Sequence, residues 1–156
     1  MAFVWRLTSP AYTDALDGAG NRIFGARWNS PGRGVVYTGA NLSLCVLETY
    51  VHFPAIRRAE IPDFVAVSID IPDDAGATRI SAAELERLLS APDPVRACRE
   101  VGDGWLTEGT DLLLVAPSIV VPEDSNIMIN PTHPRMRDVA ILHKRRFRFD
   151  ARLKVL

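Results

Sequence analysis

A helix that is apolar almost all the way round has to be covered on nearly every side, and residues 41–53 predict such a helix. Asn41 is a candidate polar cap and Pro54 a stop. Between them, Leu42, Leu44, Cys45, Val46, Leu47, Tyr50 and Val51 occupy most of the helix surface. At 100° per residue, Glu48 points between Leu44 and Cys45. A carboxylate in that setting must be paired, hydrogen-bonded or directed into a cavity. A glutamate at the edge of the domain is the commoner case, and the pattern alone leaves that alternative open.

The rest of the chain predicts short strands and short helices to cover this one. Phe3–Leu7 and Val35–Tyr37 read as strands. Phe64–Ile71 alternates, with Val65, Val67, Ile69 and Ile71 on one face and Ser68 and Asp70 on the other, as a half-buried strand does. Ser81 and Glu84 have capping-box spacing and open a helix to about Leu89. Asp93-Pro94 opens another, which Gly102 is expected to close. Leu112–Val115 reads as a central strand broken by Pro117, with extended structure resuming at Ile119–Val121. Asn126–Asn130 and the basic–aromatic run Arg146–Asp150 predict the last strands. Asp17–Asn21 and Ser30–Gly34 are turn-rich loops. Strands and helices do not alternate regularly, so the class is α+β. With 156 residues and no repeat or linker, a single domain over 1–156 is expected.

Composition narrows the setting. The two cysteines, Cys45 and Cys98, favour a reducing compartment over a disulfide framework. The first ten residues lack the basic-then-apolar order of a secretory signal. No apolar run approaches the roughly 20 residues that span a bilayer. A cytoplasmic location away from membranes is expected. The net charge is −1, yet residues 135–156 hold eight Lys or Arg and two acids, leaving the first 134 residues at −7. Such asymmetry fits an anionic partner, or simply a solvated terminal segment.

Several residues could carry chemistry. Arg27 and Trp28 sit beside glycine-bearing loops. Arg suits a phosphate, while a single Trp is more often core. Arg6 lies in the apolar strand Phe3-Val4-Trp5-Arg6-Leu7 and needs an anionic partner, which a structural salt bridge would also supply. Tyr37 ends a strand, where side chains commonly line sites, and a structural role is equally open. Ser118 lacks the Gly-x-Ser-x-Gly context of an activated nucleophile. His52, His133 and His143 show no metal-ligand spacing, and there is no phosphate-binding glycine loop. The residues alone predict a soluble α+β domain with a buried Glu and several arginines, suited to a phosphate-bearing ligand.

The motifs resemble the RES-domain family, named for Arg, Glu and Ser. The matching stretches are WRL at 5–7, GARWNSPGRGVVYTGANLSLCVLETYVHF at 25–53, APSIVVPEDSNIMINPTHP at 116–134 and FRFDARL at 147–153. Residues 54–115 are weakly constrained, and Ala26 replaces a glycine common in the family. The resemblance implies a single compact fold of two packed β-sheets with short helices, similar to the ADP-ribosyltransferase toxins. It implies the toxin of a type II toxin–antitoxin pair that cleaves NAD⁺ at the nicotinamide–ribose bond, by phosphorolysis, hydrolysis or transfer to a protein target. NAD⁺ would be a substrate, with no metal. The partner would be an Xre-like helix-turn-helix antitoxin, through which alone nucleic acid is contacted. Arg27, Glu48 and Ser118 match the name-giving catalytic positions. Arg6, Arg27, Tyr37, Trp28 and Asn130 match substrate-binding or signature positions. The alternative is a nucleic-acid-binding module using the basic segment 144–154.

Overall fold

The computed structural model describes residues 2–53 and 61–153. Seven strands form one mixed sheet: β1 (Ala2–Thr8), β2 (Val36–Gly39), β3 (Phe64–Ile71), β4 (Ala77–Arg79), β5 (Leu113–Pro117), β6 (Ser125–Ile129) and β7 (Ala140–Phe147). Their spatial order is β4-β5-β6-β2-β1-β3-β7. All pairs are antiparallel except β4–β5. Among the described residues four α-helices accompany them: α1 (Ala19–Arg22), α2 (Leu42–Tyr50), α3 (Ala82–Leu89) and α4 (Pro94–Glu108). The expected α+β class holds. The strands make one hydrogen-bonded sheet where two packed sheets were expected.

The reason lies in the strand alternation. Adjacent residues point to opposite faces, and in the middle of this sheet both faces are apolar. Val35 and Met128 belong to one core, with Leu85, Leu88, Cys98 and Trp105 of the helices α3 and α4. Their neighbours Val36 and Ile129 belong to a second core with Val4, Val67, Ile69 and Ile71. One sheet thus serves two cores. The sheet is weakest at β1–β2, where Trp5 opposite Gly39 is the single registered pair. Helix α2 packs on both strands at that join. Cys45 Sγ donates to the Trp5 carbonyl at 3.1 Å, and a Cβ on Gly39 would lie 2.9 Å from the same sulfur.

Local signals explain most element ends. Asn41 Oδ1 accepts from the Leu44 N–H at 2.8 Å and caps α2; the expected stop at Pro54 lies outside the described residues. Ser81 caps α3 by accepting from the Glu84 N–H. Helix α4 runs through Gly102 and ends at Gly109, whose φ of 59° is left-handed. Gly102 has another use: a Cβ there would sit 1.8 Å from the Trp28 carbonyl oxygen. Strand β3 is buried on both faces at Ala66–Ile69, not on one. Residues 119–121 turn instead of extending. The last strand is Ala140–Phe147, earlier than the Arg146–Asp150 expected. An exposed edge strand carries no alternating hydrophobicity to mark it, and β7 is exposed at most positions.

Candidate functional site

A cleft of about 750 Å³ opens between α2 and α4 over β1, β2 and β6. Its wall includes Arg27, Trp28, Tyr37, Glu48, His52, Arg99 and Asn126. Glu48 reaches it because α2 lies across the β1–β2 join with its apolar side down. Glu48 Oε1 accepts from Ser118 Oγ at 2.7 Å and from Asn126 Nδ2 at 2.8 Å. Ser118 Oγ in turn accepts from the N–H groups of Val120 and Val121, both at 3.0 Å. The hydroxyl therefore has one role left, as donor to the carboxylate. Two donors fix one oxygen of Glu48, and Oε2 has no hydrogen-bond partner among the described residues.

The opposite wall is the 24–29 segment, which α4 holds in place. Arg99 Nε donates to the Ala26 carbonyl at 2.9 Å, and Arg99 Nη2 to the Phe24 carbonyl at 3.2 Å. Asp103 accepts from the Ser30 N–H and hydroxyl. Asn29, fully buried, accepts from the Tyr37 hydroxyl at 2.7 Å and donates to Asn21 Oδ1 and the Arg33 carbonyl. Tyr37 also accepts from the Trp28 N–H at 3.0 Å. Burial pushes the Tyr37 phenol well above its usual range, so it stays protonated. Arg27 is exposed on this wall and has no carboxylate partner among the described residues. Burial raises the thiol of Cys98, and the neighbouring Arg27 partly offsets that.

Of the seven residues singled out from the sequence, the structure brings Arg27, Trp28, Tyr37 and Glu48 to one cleft, with Ser118 behind Glu48. Trp28 does so mainly as core, at 2% exposure. Tyr37 presents its ring to the cleft while its hydroxyl braces the opposite wall. Arg6 stands apart. Its side chain lies on the face of Val4, away from cleft-lining Leu7, and Nη1 donates to the Ala15 carbonyl at 2.9 Å. Asp17 supplies the nearby negative charge, though desolvation still lowers the Arg6 pKa. Asn130 also lies off the cleft. Its Oδ1 accepts from the N–H and hydroxyl of Thr132, closing the turn after β6.

Among the cleft residues not singled out are Asn126, Arg99 and His52. Asn126 lay unmarked at a strand start. Arg99 belonged to a helix read only for its ends, and His52 was weighed only as a metal ligand. One signal was available: His52 follows Glu48 by four residues, which is one helical turn. The basic C-terminal segment proves to be largely paired. Lys144 meets Asp14, Arg146 meets Asp63 at 2.7 Å, Arg152 meets Asp150, and Arg145 lies over the Phe147 ring.

An α+β fold with a tethered carboxylate facing an arginine-bearing wall across one cleft defines a domain shaped to hold a small ligand. The chain belongs to the RES domain family, which matches residues 3–150. Its relatives are toxins by name. It is 33% identical over 155 residues to the Prs ADP-ribosylating toxin of Sphingobium sp. (strain YBL2), covering 96% of this chain and 94% of that one. It is 35% identical over 132 residues to Toxin Res of Photorhabdus laumondii, covering 82% and 81%. The fold is similar to a chain of the Mycobacterium tuberculosis MbcT–MbcA toxin–antitoxin complex. The TM-score is 0.72, with 18% identity over 94% of this chain and 84% of that one. No helix among the described residues is long and apolar enough to cross a membrane.

Proposed function

We propose that this chain is the toxin of a toxin–antitoxin pair and cleaves NAD⁺ at the nicotinamide–ribose bond. The observation that carries the reading is Glu48: one oxygen is held by Ser118 and Asn126, and the other is open toward a cleft with Arg27 and Arg99 opposite. The cleft volume falls in the range of about 300–1,000 Å³ usual for ligand sites. Cleaving the bond sends the electron pair to the pyridinium nitrogen and leaves positive charge on the ribose, as in glycoside hydrolysis. A preorganised carboxylate stabilises that charge. Arg27, exposed and without a carboxylate, is placed to meet the pyrophosphate. The ring of Tyr37 is available to the nicotinamide or its ribose. Ser118 acts through Glu48.

The relative named as an ADP-ribosylating toxin supports ADP-ribosyl chemistry, and the toxin–antitoxin complex supports an antitoxin as partner. The family resemblance makes that antitoxin Xre-like. The acceptor is phosphate, water or a protein side chain, and the setting is the cytoplasm, where NAD⁺ is consumed.

The test is nicotinamide release by wild type and Glu48→Gln, with and without inorganic phosphate, followed by a search for ADP-ribosylated protein. Loss of one preorganised group of this kind is worth roughly 3–4 kcal/mol, or about 100- to 1,000-fold in rate. Wild-type turnover by folded Glu48→Gln refutes the reading. The nucleic-acid alternative loses ground because three of the cations that motivated it, Lys144, Arg146 and Arg152, are matched by acids of the same chain.

A further inference from the structure

We infer that His52 is the general base for hydroxyl acceptors, taking the proton from water or an alcohol as it attacks the ribose. The inference rests on the NAD⁺ reading above and names a residue and an acceptor class for it. His52 lines the same cleft as Glu48, in the turn just past the C-terminal end of α2. It is exposed, so it stands at the solvent end, where an acceptor arrives. Its N–H bonds the Thr49 carbonyl, while the imidazole has no hydrogen-bond partner among the described residues.

The other groups facing it from each packed element are unsuited to the task. On α2, Glu48 has Oε1 held by two donors and Oε2 assigned to the ribose charge in the proposed reaction, and burial pushes the Cys45 thiol up to about 12. From β2, the Tyr37 hydroxyl is committed to Asn29 and the Trp28 N–H. From the 24–29 segment and α4 come Arg27 and Arg99, which do not deprotonate in proteins. Imidazole is the side chain that ordinarily exchanges a proton near neutrality.

The step balances as follows. The acceptor oxygen bonds the ribose C1 atom, the C1–nitrogen bond breaks, and its electron pair neutralises the nicotinamide ring. The acceptor proton moves to the imidazole and then to solvent. Phosphate dianion attacks without losing a proton, so it bypasses this step. The role of His52 is therefore visible as a choice between acceptors.

The experiment gives the purified chain NAD⁺ in water, with inorganic phosphate, and with methanol. ADP-ribose, ADP-ribose 1-phosphate and methyl ADP-ribose are counted for wild type, His52→Gln and His52→Asn. Both variants should lower the ratio of hydroxyl transfer to phosphorolysis by about 100-fold, the lower end for general-base catalysis. The wild-type hydrolysis rate should rise with pH to a plateau, and that rise should vanish in the variants. An unchanged ratio overturns the inference, as does a wild type that uses phosphate alone; both leave NAD⁺ cleavage standing. No nicotinamide release under any condition defeats the underlying reading instead.

Discussion

Replacing Ser118 with alanine tests whether the site is built as a relay. Ser118 is 1% exposed, and its hydroxyl accepts from two N–H groups at 3.0 Å and donates a hydrogen bond to Glu48 Oε1 at 2.7 Å. Losing a hydrogen bond to a charged group costs about 1.5–3 kcal/mol. Val120 and Val121 are only half-buried residues, so water entering beside them can replace part of what their N–H groups lose. A net loss of about 2–3 kcal/mol follows, which for a chain of this size lowers the melting midpoint by about 5–10 °C. Glu48 would keep only Asn126 as a tether, and a loosened carboxylate should slow kcat by about 10- to 100-fold, or about 1.4–2.7 kcal/mol. KM should change little, because the Arg27 wall is untouched. The assay is nicotinamide release in a double-mutant cycle with Glu48→Gln. If Ser118 works through Glu48, its effect on kcat disappears in the Glu48→Gln background while its stability cost persists. Equal rate losses in both backgrounds, or a fully active Ser118→Ala, would refute the relay.

Arg27→Ala should raise KM for NAD⁺ at least tenfold with a smaller change in kcat, since no carboxylate partner is left stranded; an unchanged KM makes Arg27 structural. Tyr37→Phe keeps the ring but removes the brace to Asn29 and Trp28, so it should lose about 1–2 kcal/mol in urea unfolding. Gly102→Ala forces a Cβ to 1.8 Å from the Trp28 carbonyl and should destabilise by about 3 kcal/mol or more; wild-type stability would show the α4–loop contact to be slack. Cys45 gives a pH prediction. Its thiol is raised from 9.0 to about 12, so the folded state holds that proton more tightly than the unfolded one. The stabilisation is complete below about pH 9 and is lost as pH climbs toward 12. Urea midpoints between pH 8 and 11 should fall less steeply in Cys45→Ala than in wild type.

The sequence made α2 legible through its apolar run and capping Asn, which are local signals, yet the helix is covered on one side only and leaves Leu47 and Val51 exposed. The 25–29 loop was legible for the same reason, as a cluster of unusual residue types. Arg6 falls outside the cleft because strand neighbours face opposite ways, and nothing local says which face of β1 the cleft will use. Asn126 was invisible for the complementary reason. Its partner, Glu48, is 78 residues away on α2, and only the fold brings that helix over the start of β6. Gly102 misled because a glycine in a helix can mark an end or a close approach, and the Trp28 carbonyl that decides between them comes from a distant loop. The two-sheet expectation failed at one place only. The join of β1 to β2 is a single residue pair, so a local count of strands cannot tell a split sheet from a continuous one.

That thin join also explains why the cleft lies where it does. A sheet joined by one pair must be reinforced from above, and α2 does this by seating Cys45 on the Trp5 carbonyl with only a glycine, Gly39, beneath it. Close seating brings the helix down onto the sheet and leaves its next turn, with Glu48, beside the start of β6 and the end of β5. Asn126 and Ser118 stand there as the two donors. Gly39→Ala would press a Cβ to 2.9 Å from Cys45 Sγ and lift the helix. Its effect should then appear in kcat through a misplaced Glu48, even though residue 39 never meets the ligand. A Gly39→Ala variant that loses stability but keeps full kcat would show that the seating of α2 and the placement of its carboxylate are independent.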